Sequence, residues 1–151
     1  MFHRERRKPS KDYLKYFRVI RKFVQVKHGL KLEELEMLFF LHSEDYFSRD
    51  KFDEFAKIMP WNRQRFDKLK REGWIEIFRK RTGKYKALYQ LSYKGTRLVN
   101  YIYRKLDGGE LPVTRNNNPM FGSDPSYTDK VYRNMIIEMN QERRKLKNDR
   151  N

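Results

Sequence analysis

The segment 59–75, MPWNRQRFDKLKREGWI, concentrates basic side chains between two tryptophans. Its cations are Arg63, Arg65, Lys68, Lys70 and Arg71. Cations at this density can bind phosphate groups, and arginine or glutamine near a helix start can also hydrogen-bond the edges of bases. A run of charge is also typical of a solvated helix surface. The choice depends on which side chains face inward and on what surrounds the segment.

The whole chain is basic, and the charge is segregated. The 36 Lys and Arg against 20 Asp and Glu give a formal net charge of +16. This excess favours a polyanionic partner, with nucleic acid ahead of an anionic membrane surface. Residues 1–28 hold ten basic and two acidic side chains, residues 30–57 four and eight, and residues 62–86 ten and three. An acidic middle segment therefore separates two basic blocks.

The residues that enzymes and metal sites need are missing or scattered. There is no cysteine, and His3, His28 and His42 do not stand at metal-ligand spacing. We find no glycine-rich phosphate loop and no arrangement of serine, histidine and carboxylate, so we expect no enzyme, cofactor or metal. No apolar run reaches the ~18 residues of a membrane span, and the N-terminus has no apolar stretch after its charges. We expect no membrane association and a cytoplasmic protein, nucleoid-associated if bacterial.

Apolar periodicity predicts the elements that position the basic segment. Residues 11–28 and 31–44 read as helices, and Ser48 caps a third, short helix. Pro60 interrupts that helix, and Asn62 caps a fresh helix over 62–72 that turns Phe66 and Leu69 inward.

A hairpin and a further helix follow. Gly73 ends the helix, residues 74–80 alternate as a strand, RTGK turns at Gly83, and residues 85–92 return. Ser92 then caps a helix over 93–106. This order predicts a mainly α protein with a small β-hairpin: a winged helix-turn-helix with N- and C-terminal helical extensions.

The sequence also predicts how the chain is divided into domains. We expect a basic arm over 1–11, a winged-helix domain over 12–109 including the N-terminal helix, a linker over 110–127, and a C-terminal helix over 128–151. The basic arm either enters a minor groove of DNA or is a solvated terminus. Apolar stripes on the terminal helices predict a homodimer, with packing onto the chain's own core as the alternative. The stripe residues are Phe17, Ile20, Val24, Val131, Met135 and Met139.

In a winged helix, the helix after the turn enters the major groove and the hairpin contacts a neighbouring groove or the backbone. We therefore expect base contacts from Asn62, Arg63 and Gln64 at the helix start. Phosphate contacts are expected from Lys68, Arg71, Arg79, Lys80, Arg81, Lys84 and Lys86.

The segment FDKLKREGWIEIFRKRTGKYKALYQLSYKGTRLV resembles the MarR-type winged-helix transcriptional regulators. The resemblance runs from Leu30 to about Leu106, and the match at Leu91, Ser92 and Gly95 is fairly specific. It implies double-stranded DNA as the ligand and a dimer built from the terminal helices, and hence a sequence-specific transcriptional regulator whose effector is not identified. Two other classes stay open: a structural or adaptor protein that uses a winged helix for protein docking, and an RNA-binding protein.

Overall fold

The computed structural model describes residues 12–149, and in these the chain is mainly helical with one small sheet. Its elements are α1 (Tyr13–His28), α2 (Leu32–Glu44), α3 (Arg49–Ala56), α4 (Arg63–Arg71), β1 (Ile75–Arg79), β2 (Leu88–Leu91), α5 (Tyr93–Leu106), a 3-10 turn (Pro119–Phe121) and α6 (Tyr127–Asp149). This order confirms the predicted fold class, a winged helix with helical extensions at both ends. The predicted basic arm over 1–11 lies outside the described residues.

The chain divides into two compact units. His28–Tyr103 forms the winged-helix unit, and the two chain ends, up to Lys27 and from Arg104 onward, form the terminal unit. This grouping differs from the predicted domain over 12–109, because α1 belongs with the C-terminal part of the chain and not with the winged helix.

Side-chain caps set the limits of α3 and α4. The Ser48 hydroxyl accepts a hydrogen bond from the backbone N–H of Lys51 at 3.3 Å, and the Asn62 side chain accepts one from the N–H of Arg65 at 2.9 Å. These bonds satisfy N–H groups that have no partner within the helix. Phe66 is buried, so α4 turns its apolar side to the core and its polar side to solvent. The caps predicted from sequence are confirmed.

The sheet has a third, one-residue member. β1 and β2 pair antiparallel, with Ile75 opposite Leu91 and Ile77 opposite Tyr89. On the other side of β2, Phe47 exchanges two backbone hydrogen bonds with Tyr89, of 2.9 and 2.7 Å. The connection between α2 and α3 is thereby tied to the base of the hairpin.

Gly95 lets the first turn of α5 pack closely against the backbone between α4 and β1. The Ser92 hydroxyl accepts from the Gly95 N–H at 3.1 Å and donates to the Gly73 carbonyl at 2.6 Å. A Cβ at Gly95 would lie 2.6 Å from the Trp74 carbonyl oxygen, closer than real Cβ contacts come. The Ser92 and Gly95 spacing is thus a packing requirement of the winged helix.

In the terminal unit, side chains of α1 contact side chains of α6. Arg18 Nε donates to the Tyr132 hydroxyl at 3.2 Å, and the Lys22 amine lies 5.8 Å from the centre of the same ring. Near the start of α1, the Arg143 guanidinium lies 5.1 Å from the centre of the Tyr16 ring.

The segment 110–127, which the sequence predicts to be a linker, instead packs onto α6. The Asn140 amide accepts from the Leu111 N–H at 3.0 Å and donates to the Leu111 carbonyl at 2.9 Å. Leu111, Asn118 and Met120 are all buried. Composition suggested a linker because asparagine, proline and glycine are common in loops, but here asparagine side chains hold the loop in place.

The predicted dimer stripe is largely core. Ile20, Val24 and Met139 are at most 1% exposed in the single chain, so they offer no surface to a second copy. Phe17 and Met135 are half-buried, and Val131 remains exposed. A helical stripe shows that one face is buried, but it does not show whether the same chain or a partner covers that face.

Candidate nucleic-acid interface

The start of α4 holds the three residues predicted to contact bases. Asn62 uses its side-chain oxygen as the helix cap, which leaves its amide N–H groups for other contacts. Arg63 is exposed and is bound by Asp53 of α3. Gln64 is exposed and has no side-chain partner among residues 12–149. Asn62, Arg63 and Gln64 therefore all present hydrogen-bonding groups to solvent at this end of the helix.

Arg63 and Asp53 form a two-pronged ion pair. Arg63 Nη2 lies 2.8 Å from Asp53 Oδ2, and Nε lies 3.3 Å from Oδ1. The hydrogen bonds from Arg63 hold the pKa of the Asp53 carboxyl below its usual range, and the same bonds raise the pKa of Arg63. Both groups stay charged across the physiological range.

Lys68, predicted as a phosphate contact, forms an ion pair with a buried carboxylate and is only partly exposed. Its Nζ lies 2.9 Å from Oε2 and 3.2 Å from Oε1 of Glu34, a residue only 1% exposed. Burial by itself would raise the pKa of Glu34, but hydrogen bonds from Lys68 and from the Lys31 N–H, with the charge of Arg65, hold that pKa below its usual value. Moving Lys68 to a phosphate would leave a buried carboxylate without its cation.

The acidic middle segment thus serves as an internal partner for α4. Arg63 pairs with Asp53, Arg65 with Glu33 at 3.4 Å, and Lys68 with Glu34. Of the five cations between the tryptophans, Lys70 lies over the Tyr89 ring at 5.4 Å, and Arg71 has no side-chain partner within residues 12–149. Most of the charge run in α4 is therefore neutralised within the chain.

Arg49 is a structural cation that the sequence reasoning missed. Its Nη2 lies 2.7 Å from Asp67 Oδ1 on α4, and its guanidinium lies 5.2 Å from the centre of the Phe66 ring. Its contacts with Tyr89 and Asp67 raise the pKa of Arg49. Arg49 fixes α3 against α4. No local pattern signals this role, because its partners lie 17 or more residues along the chain.

The hairpin carries both anchored and free cations. Arg79 donates to the Lys86 carbonyl at 3.1 Å and lies over the Tyr85 ring, and Lys86 forms an ion pair with Asp50 of α3. The exposed basic side chains of the hairpin that have no partner among the described residues are those of Lys80, Arg81 and Lys84. Together with Arg71 on α4, these exposed cations are the candidate basic surface of the winged-helix unit, because a polyanion can reach them without displacing a partner within residues 12–149.

The fold and this surface define a winged helix with a candidate nucleic-acid interface. Comparison of the chain with protein-family models, with curated proteins and with solved structures gives no match. Within residues 12–149, no group of three or more histidine or carboxylate side chains is placed to hold a metal ion. No helix in that range combines the length and apolarity that crossing a bilayer requires.

Proposed function

We propose that this protein is a sequence-specific double-stranded-DNA-binding protein, a MarR-like transcriptional regulator that acts in the cytoplasm as a homodimer. One observation carries the proposal: a single compact unit exposes both the polar start of α4 and a hairpin with unpartnered cations. An α-helix fits the B-DNA major groove, which is ~12 Å wide, and a basic hairpin can then neutralise phosphates beside it.

Lys68 is left out of the proposed interface, since Glu34 holds it. Arg63 and Gln64 are assigned to base edges, with Asn62 at the helix cap beside them. Arg71, Lys80, Arg81 and Lys84 are assigned to phosphates. Arg79, which donates to the Lys86 carbonyl, and Lys86, which pairs with Asp50 of α3, are assigned to holding the hairpin in place. Four unpartnered cations in each copy are enough for a marked salt dependence of binding.

The test is duplex binding across a salt series, for the wild type and for the double variant Arg81→Ala/Lys84→Ala. Each phosphate neutralised contributes roughly 0.9 to the slope of log affinity against log salt, so the slope should fall by about 2 for each wing in contact. Lys130→Ala/Lys145→Ala removes two exposed cations from α6 and is the matched control for net charge. Equal losses in both variants would mean that charge acts generally and that the wing makes no specific contact.

The homodimer needs a surface other than the buried stripe. In the terminal unit, Tyr13, Leu14, Val131 and Ile137 remain 39% or more exposed, a share of apolar surface that a second copy can cover. Light scattering at micromolar concentration should give the mass of two chains. A mass of one chain would contradict the proposed dimer but would not contradict the proposed DNA binding.

One observation favours RNA or single-stranded nucleic acid as a second candidate ligand. The rings of Tyr46 and Phe78 stack with centroids 4.1 Å apart, and each residue is about half exposed. Exposed aromatic rings beside a basic surface are typical of proteins that stack unpaired bases. Competition between a duplex and its separated strands decides: the regulator binds the duplex more tightly, whereas preference for the strands, lost in Phe78→Ala, would favour this alternative.

A further inference from the structure

The Asp53 and Arg63 pair leaves one edge of the guanidinium open. Asp53 accepts from Nε and from Nη2, so both of its oxygens lie along a single side of the Arg63 group. A guanidinium has five N–H donors in one plane, and this pair uses two of them. The remaining Nη1 and Nη2 donors form a second fork, and they have no partner among residues 12–149.

That open fork has the geometry to bind guanine. In the major groove, guanine presents O6 and N7 as two adjacent acceptors, which an arginine fork can contact with two parallel hydrogen bonds. Arg63 is the first residue of α4, its side chain is 67% exposed, and base contacts in helix-turn-helix proteins come from the start of the recognition helix.

The stability of the fold does not explain the pair. The Arg63 and Asp53 side chains are 67% and 31% exposed, so water screens their ion pair, and screened ion pairs add little to stability. α3 and α4 are already held together by the bond between Arg49 and Asp67 and by Phe52 and Phe66, whose ring centres lie 4.9 Å apart. What the pair does change is the freedom of Arg63, since a bound guanidinium occupies far fewer orientations than a free one.

We propose that Asp53 is a positioning residue that presents the open fork of Arg63 to a guanine, so that the preferred duplex contains a G·C pair facing the start of α4. This inference rests on the proposed DNA binding. Asp53 touches no base in this arrangement; it acts by fixing Arg63 and, as a negative charge, by opposing non-specific attraction to phosphates.

The experiment selects preferred duplexes from a random library and then measures binding to four duplexes that differ at one base pair, the pair most sensitive to Arg63→Ala. In the wild type that pair should be G·C. Asp53→Ala should reduce the preference for it by roughly 2- to 12-fold, the factor expected when one long side chain is no longer ordered in advance. Asp53→Asn keeps a hydrogen-bond acceptor but loses the charge, so its preference for the G·C pair should lie between those of the wild type and of Asp53→Ala.

Asp67→Ala is the matched control, because it also removes one carboxylate and one link between α3 and α4. The loss of one negative charge should raise its affinity for all four duplexes by a similar factor and therefore leave the base preference unchanged. Thermal unfolding of each variant checks that the fold is intact.

Three results would overturn the inference while leaving DNA binding in place: no base pair responds to Arg63→Ala, the pair that responds is not G·C, or Asp53→Ala keeps the wild-type preference. A wild type that binds no duplex in the salt series would overturn the proposed function and this inference together.

Discussion

The pairing of Lys68 with buried Glu34 predicts that Lys68→Ala destabilises the protein and leaves the salt dependence of the proposed DNA binding unchanged. The variant would leave a carboxylate that is 1% exposed with one remaining hydrogen bond, from the Lys31 N–H. Removing one partner of a fully buried ion pair costs ~3–5 kcal/mol. The Lys68 side chain is 32% exposed, so water can reach the site and lower the cost to about 2 kcal/mol. For a chain of this size the melting temperature should fall by about 4–8 °C.

Urea denaturation measures the cost, with Arg71→Ala as the control. Arg71 is an exposed cation on the same helix without a partner in the described residues, and its removal should change stability by less than about 0.5 kcal/mol. In DNA binding the order of the two variants should be reversed, with Arg71→Ala showing the larger change. Arg71→Ala should lower the slope of log affinity against log salt by roughly 0.9, and Lys68→Ala should not change it.

A double-mutant cycle isolates the pair itself. In a Glu34→Gln background the charge of the buried group is absent, so Lys68→Ala should cost at least about 1 kcal/mol less than in the wild type. If Lys68→Ala proved as stable as the wild type and reduced the salt slope, Lys68 would be a phosphate contact, and the ion pair would contribute nothing to folding.

The remaining predictions concern the core and the chain termini. Gly95→Ala should destabilise the protein by about 1–3 kcal/mol in urea denaturation, because the new methyl group meets the Trp74 carbonyl; an unchanged midpoint would show that α5 can shift freely. The folded-state pKa of Glu34 lies below its usual 4.5, so its charge stabilises the fold above that pH, and the stability advantage of the wild type over Glu34→Gln should shrink as the pH is lowered from about 6 to about 3. A constant difference would contradict the lowered pKa. Met139→Asp should unfold the terminal unit in circular dichroism, whereas Val131→Asp should stay folded and give monomers in light scattering; folded Met139→Asp would place that residue at an interface.

The sequence alone determined the local architecture. The caps at Ser48 and Asn62 join groups three residues apart, so residue type and spacing were enough to place the starts of α3 and α4. Gly73 has a backbone φ of +85°, which explains why a glycine ends α4 and opens the hairpin. Helical and strand periodicity supplied the rest of the winged-helix order.

Tertiary structure decided which charged and apolar residues are accessible to a ligand or to a second chain. Lys68 and Arg71 have the same charge and lie on one short helix, yet Lys68 meets a buried carboxylate 34 residues earlier and Arg71 meets solvent. The same holds for Asn140, which is bound to a loop 29 residues earlier. Periodicity reports that a side chain faces inward or outward from its own element. Which group it then meets depends on how distant elements pack, and the free energy of a charge depends on that partner and on the water it loses.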